Sequence, residues 1–300
     1  MDYDEIPGAS PGARLRRLLD GGELIVAPGI FDGLSAHLVR RMGFRAGYLT
    51  GAGVAASGFG LPDIGLAGMS EMADRVTMAA GVLGTVPLIA DGDTGYGPPA
   101  SVARTVRAYE RAGAAAIQLE DQAFPKRCGH LPGKELVSTD AYLATLGAAL
   151  EARTDALIIA RTDARSVLGL SAAIERGIAY AEAGADIIFV EAPRTAEEIA
   201  RIGREITAPK LINIVAGGLT PELDAPVLSE LGYSIAIYPT TALLAAANAT
   251  IDALRGLGGS VTVPPRITTM EDFFRVVGLD EWSAVSERWH TSDGRASALR

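Results

Sequence analysis

ALIIARTDARSVLGLSAAIERGIAYAEAGADIIFVEA, residues 156–192, holds one full repeat of the pattern that decides the fold. Residues 156–163 and 186–192 are short aliphatic runs, apolar on both faces, as strands buried within a parallel sheet must be. Between them, residues 171–185 place apolar side chains at helical intervals on an Ala/Glu/Arg-rich background. An AGA triplet before the second run puts Gly184 where a helix closes in the left-handed conformation, and the same triplet recurs at Gly113.

Outward from this unit the pattern repeats along the chain. Strand-like runs fall at 23–30, 46–51, 87–93, 115–121, 156–163, 186–192, 210–215 and 234–239, with further helical patterns at 101–114 and 195–206. Eight such units predict an α/β chain closed as a (β/α)8 TIM barrel, since an open doubly wound sheet usually has about five or six strands. A helical pattern at 13–21 precedes the first strand and is expected to cap the barrel floor. Two aromatic amphipathic segments, 271–278 and 280–289, exceed what eight units need and either pack on a neighbouring subunit or cover their own barrel. No linker, charge run or low-complexity stretch divides the 300 residues, which predicts a single barrel domain over 1–300, its core at about 23–255 and a C-terminal helical extension at about 256–300.

The net charge of -9, with cations scattered among acids, excludes a nucleic-acid surface. The apolar runs are too short and interrupted to span a bilayer, and the acidic N-terminus is unlike a signal peptide. No membrane partner and a cytoplasmic location are therefore expected. The single cysteine, Cys128, cannot form an internal disulfide, in keeping with a reducing compartment.

Polar residues gather where barrel enzymes do their chemistry. Asp91, Asp93, Glu120, Asp121, Arg161, Asp163, Glu191 and Asn213 all fall at the C-terminal ends of expected strands. Strand alternation predicts that Asp91 and Asp93 point the same way, as do Arg161 and Asp163. Converging carboxylates repel and raise one another's pKa unless a cation neutralises them, so a metal is expected. Oxygen donors without a His or Cys cluster select a hard ion, Mg2+ first and Mn2+ second. Helix capping would explain one of these acids, but not four on three strands with Arg161 beside them. Residues 48–63 read as a Gly-rich loop whose amides cradle a carboxylate. FPKRCGHLPGK, residues 124–134, is expected to lie as a loop over the same mouth. Lys126, Arg127 and His130 place positive charge near Cys128, which favours a reactive thiol, in a loop poorly suited to a core. His130 is given a supporting hydrogen-bond role, not a ligand's.

In GVAASGFGLPD (53–63), DGDTGYG (91–97), LEDQAFPKRCGH (119–130), ARTDA (160–164), FVEAP (189–193) and GGLTP (217–221), the chain resembles the isocitrate lyase/phosphoenolpyruvate mutase superfamily, from about Ile25 to Trp289. The resemblance implies a barrel whose C-terminal helix is exchanged between subunits of a homotetramer. It implies Mg2+ near Asp91 and Asp93, with Asp63 and Glu120 reaching it through water. Thr50, Gly51 and Ala52 would bind a substrate carboxylate, while Gly129, Arg161, Glu191 and Asn213 would hold the 2-oxo acid portion. Cys128 would carry the proton in the carbon-carbon lyase branches, with Lys126, Arg127 and His130 stabilising its thiolate. The implied activity is Mg2+-dependent retro-aldol cleavage of a 2-hydroxy dicarboxylate, 2-alkylmalate-like or methylisocitrate-like, to a 2-oxo acid such as pyruvate plus a carboxylic acid. Leu244 and Met270 stand where methylisocitrate lyases carry basic residues, which argues against a tricarboxylate. FPKRCGHLPGK and GGLTP are similar to the branch that holds the dimethylmalate lyases and the carboxyphosphonoenolpyruvate mutases. Ala216 and Leu219 depart from that branch, replacing an acid and a base. A carboxyphosphonoenolpyruvate-type phosphonomutase and a non-catalytic dicarboxylate-binding barrel are the alternatives.

Overall fold

The computed structural model describes residues 8–129, 131, 133–258 and 266–289. Its first half runs α1 (Pro11–Asp20), β1 (Ile25–Ile30), α2 (Gly33–Arg41), β2 (Gly47–Leu49), α3 (Gly51–Phe59), α4 (Met69–Leu83), β3 (Leu88–Asp91), α5 (Pro99–Ala112), β4 (Ala116–Glu120) and α6 (Thr139–Ala152). The second half runs β5 (Leu157–Thr162), α7 (Ala164–Val167), α8 (Leu170–Glu182), β6 (Ile187–Val190), α9 (Ala196–Glu205), β7 (Lys210–Asn213), α10 (Ala225–Glu230), β8 (Ile235–Tyr238) and α11 (Thr241–Gly256). Two last helices follow, α12 (Met270–Val276) and α13 (Leu279–Trp289). The eight strands pair in parallel in chain order and β8 closes on β1, so the expected TIM barrel is the observed fold. Gly113 and Gly184 end their helices at φ +100° and +104°. Among the described residues no helix is long and apolar enough to cross a membrane.

Alternation along each strand sorts side chains into two layers. Leu157 and Ile159, Ile187 and Phe189, and Leu211 belong to the cluster that fills the barrel. Ile158 and Ala160, Ile188 and Val190, and Ile212 belong to the cluster shared with the surrounding helices. α1 caps the floor as expected, with Leu15 fully buried against the interior cluster. Two acids fasten that end. Glu110 accepts the amides of Asp155 and Ala156, each at 2.8 Å, and Asp155 in turn accepts the amide of Gly12 at 2.7 Å.

Two local expectations are corrected. Residues 51–59, read as part of a loop, form helix α3, capped by Thr50, whose hydroxyl accepts the Gly53 amide at 3.2 Å. The glycines serve close packing: a Cβ on Gly53 would come within 2.9 Å of Phe31, and one on Gly51 within 2.9 Å of Asp91. Strand β3 stops at Asp91, so alternation does not place Asp93; a left-handed residue at φ +49° does.

Helix α12 lies over the barrel mouth. Met270, Phe273 and Phe274 join a buried cluster with Phe31, Ala52, Val215, Leu244 and Cys128.

Candidate active site

Strand parity builds the site. Asp91 follows Ile89, Glu120 follows Ala116 and Gln118, Arg161 follows Ile159, Glu191 follows Phe189 and Asn213 follows Leu211, all in the inward register at the C-terminal rim. Asp121 has the opposite parity and serves the frame. It is fully buried and takes Thr162 at 2.7 Å, Arg176 at 2.8 Å, Tyr180 at 2.9 Å and the Asp163 amide at 2.9 Å.

Asp91, Asp93 and Glu120 each offer a carboxylate oxygen, all within 4.8 Å of one another and all buried. Asp91 is held by the Gly51 amide at 3.2 Å, the Asp93 amide at 3.1 Å and Gln118 Nε2 at 3.2 Å. Tyr48 fixes Gln118 by donating to its Oε1 at 2.9 Å. Burial, helped by the charges of Asp91 and Asp63 and opposed by Lys126, raises Asp93 to about 7. Burial likewise pushes Glu120 well above the carboxylate range against the pull of Arg161. Glu120 Oε1 is buried with no hydrogen-bond partner among the described residues. Buried acids whose charge is penalised, with an unsatisfied oxygen in an all-oxygen donor set, fit a hard divalent ion.

Arg161 stands beside this group. Its Nη1 lies 2.9 Å from Glu120 Oε2, its Nε 3.0 Å from Asp163 Oδ2, and its guanidinium 5.4 Å from the centre of the Phe189 ring. Burial opposes its charge, yet Asp163, Glu120 and Glu191 hold its pKa above the usual value. Burial would raise Asp163, but Arg161 and Lys134 outweigh it and bring Asp163 to about 2. Asn213 Nδ2 donates to both Glu191 oxygens, at 3.3 and 3.4 Å.

Residues 122–129, 131 and 133–137, the described part of the 122–137 segment, lie over the mouth. The segment is bracketed by a bridge between Gln122 and Leu136, and the Cys128 amide donates to Asp63 O at 3.1 Å. Gly129 touches the site so closely that a Cβ there would fall 2.2 Å from Glu191 Oε1 and 2.7 Å from Arg161 Nη2. Its expected place among the substrate-facing residues is thus one that only glycine can fill.

Three expectations for this loop change. Lys126 does not flank the thiol with charge: its buried ammonium ion-pairs with Asp63 and lies 2.7 Å from Asp93 Oδ1, because buried carboxylates outcompete a thiol for a cation. Asp63 therefore sits outside the three-acid group, joined to it by Lys126. Arg127 turns outward and is exposed. Cys128 is buried in the apolar cluster described above, since α12 supplies the cover that the loop's own composition lacks. His130 lies outside the described residues. Spacing alone missed Gln118, which strand parity would have found, and Lys134, which carried no signal beyond its place in the quoted loop.

The family model described as phosphoenolpyruvate phosphomutase matches residues 15–257. The chain belongs to this family. It is thereby a member of the PEP mutase/isocitrate lyase superfamily, as the resemblance implied. It is 44% identical over 284 residues to 2,3-dimethylmalate lyase of Eubacterium barkeri, a match covering 93% of this chain and 98% of the relative. It is 43% identical over 279 residues to 2-methylisocitrate lyase of Aeropyrum pernix, covering 92% and 90%. The structure of oxaloacetate acetylhydrolase in complex with the inhibitor 3,3-difluorooxalacetate matches with a TM-score of 0.81 at 40% identity, covering 95% of this chain and 99% of that one. These family members are named for reactions on small carboxylic acids, and two of the three are named lyases.

Proposed function

We propose that this chain is a Mg2+-dependent carbon-carbon lyase that cleaves a 2-hydroxy dicarboxylate of the 2-alkylmalate class into a 2-oxo acid such as pyruvate and a carboxylic acid. One observation carries the reading: a buried Asp91/Asp93/Glu120 group stands beside Arg161, Glu191 and Asn213, under a segment that bears Cys128.

Asp91, Asp93 and Glu120 would hold the ion, with Asp63 reaching it through water, and Mn2+ would substitute. The ion, when bound, polarises the substrate's oxygens as a Lewis acid. Arg161 donates to the oxygens on which charge develops, held in place by Glu120 and Asp163. Thr50, Gly51 and Ala52, at the first turn of α3, would receive a substrate carboxylate, with the Ala52 amide as donor, since the Thr50 and Gly51 amides are given to Ile30 and Asp91. Glu191, Asn213 and the Gly129 backbone orient the 2-oxo acid portion. As the substrate hydroxyl gives its proton to a carboxylate of the rim, the carbon-carbon bond breaks, the hydroxyl carbon becomes the carbonyl of the 2-oxo acid and the electron pair stays on the departing fragment. Cys128 delivers its proton to that carbanion, with His130 supporting the thiolate left behind and the apolar cover of α12 excluding water.

Leu244 and Met270 favour an alkyl-bearing dicarboxylate over a tricarboxylate. Both are buried with Val215 and Phe31 in the cluster around Cys128, where a third carboxylate would have to shed its water without a counter-ion. The same proposal covers the assembly and setting: a single barrel domain over 1–300, a cytoplasmic homotetramer and exchange of the C-terminal helix, α13. Leu34, Leu38 and Met42, exposed at 67, 51 and 73% on one side of α2 and its C-terminal end, support a subunit contact. Light scattering reads the subunit count.

The function is tested by offering 2-alkylmalates, methylisocitrate and oxaloacetate to the Mg2+-loaded protein and assaying 2-oxo acid release. Turnover is expected with a 2-alkylmalate. Rearrangement of a phosphonate substrate with none of these cleaved would replace the lyase by a mutase. A dicarboxylate that raises the melting temperature without turnover would leave only a binding barrel.

A further inference from the structure

We infer that Lys134 is the clasp that holds the 122–137 segment closed and sets Gly129 at its height above Arg161 and Glu191. Its consequence for catalysis rests on the lyase reading above; its consequence for the segment's closure does not.

Lys134 is a buried lysine, its side chain 3% exposed, and an ammonium is buried only when paired. Its two partners belong to different parts of the molecule. Nζ donates to Asp163 Oδ1 at 2.7 Å and to the Gly129 carbonyl at 2.6 Å. Asp163 is part of the rigid frame: it follows β5 directly, and its amide is fixed by Asp121, which Arg176 and Tyr180 hold in turn. Gly129 belongs to the segment over the mouth. The lysine therefore ties that segment to the barrel through one side chain, and Gly133 at φ +80° lets the chain turn back between the two.

The tie acts where tolerance is smallest. Gly129 leaves no room for even a methyl group beside Glu191 and Arg161, so a small loosening changes how its backbone meets a substrate. Lys134 also shares Asp163 with Arg161. Arg161 is thus shared between Glu120 and Asp163, and Asp163 between Arg161 and Lys134. Without Lys134 the guanidinium would be the sole ion-pair partner of Asp163 among the described residues, and it would be drawn away from its substrate-facing position. Lys134 is thus a positioning residue, acting through Gly129 and Arg161.

The bond after Arg127, whose Cys128 amide is held by Asp63 in the closed segment, becomes a trypsin site when the segment loosens, which reads closure without reference to turnover. Lys134→Met is expected to speed cleavage after Arg127 on the order of tenfold or more, since it removes both charge-assisted hydrogen bonds of the ammonium. It is expected to lower kcat with a smaller change in KM. Lys134→Arg, which keeps the charge and a donor fork, should restore slow cleavage and most of kcat. Cleavage at the wild-type rate in Lys134→Met overturns the clasp. Should that variant not fold, hydrogen exchange on the wild-type protein decides: slow exchange at Cys128 and Leu131 supports closure, and exchange at the rate of an open loop refutes it. A wild-type protein that cleaves no 2-hydroxy dicarboxylate yet shows these protection patterns would fault the lyase reading and leave the clasp standing.

Discussion

Replacing Lys126 by Met should tighten metal binding while weakening the metal-free protein. In the structure its ammonium holds the place of a counter-ion, paired with Asp63 and 2.7 Å from Asp93. An incoming dication shares Asp93 with it. Two unit charges about 4 Å apart at an effective dielectric of about 20 interact by about 4 kcal/mol, and a dication doubles that to about 8. A buried charge-assisted hydrogen bond contributes about 1.5–3 kcal/mol, so repulsion wins and the ammonium must withdraw from Asp93 before the ion settles. The bond lost in that withdrawal is subtracted from wild-type affinity. Without the lysine, Mg2+ or Mn2+ should bind about tenfold to a hundredfold more tightly by titration calorimetry. The metal-free variant should lose about 3–5 kcal/mol of stability, because two buried acids lack their partner, and metal at about a hundred times Kd should return roughly 2.7 kcal/mol. Unchanged or weaker metal affinity in the variant would refute the exchange of one cation for the other.

Three further outcomes are expected. With Asp93 at about 7, a proton competes with the ion below that pH, so apparent Mg2+ affinity should fall roughly tenfold between about pH 8 and about pH 6; a flat profile by calorimetry would remove Asp93 from the ligand set. Cys128→Ser should abolish turnover while a 2-oxo acid still binds, and a variant as active as wild type would take the thiol out of the mechanism. Gly129→Ala should lower kcat/KM on the order of a hundredfold, because the added methyl displaces Glu191 and Arg161 or lifts the segment off them; normal kinetics would mean that the segment does not close as described.

Much of the barrel was legible because a strand covered on both faces must be aliphatic throughout, and runs such as LIIART and IIFV have few other uses. Asp91, Glu120, Arg161, Glu191 and Asn213 were legible for a related reason, since period-two geometry carries an inward register to the rim. Asp93 reached the same place by a different route, a left-handed turn that alternation does not describe. Glycine misled at 51–59, where its low helix propensity was overridden by the need for a helix to approach Phe31 and Asp91 closely. The destinations of Lys126 and Lys134 were illegible because each pairs with acids far along the chain, on loops that only the closed barrel brings together. The setting of Cys128 was hidden similarly, its apolar cover coming from residues well over a hundred positions later.

The floor of the barrel is fastened by Glu110 and Asp155, neither of which takes part in the rim. Support and chemistry are thereby assigned to opposite ends of the same strands. Exchange of residues around the rim can retarget this scaffold to new acids while the foundation that keeps the strands in register stays untouched.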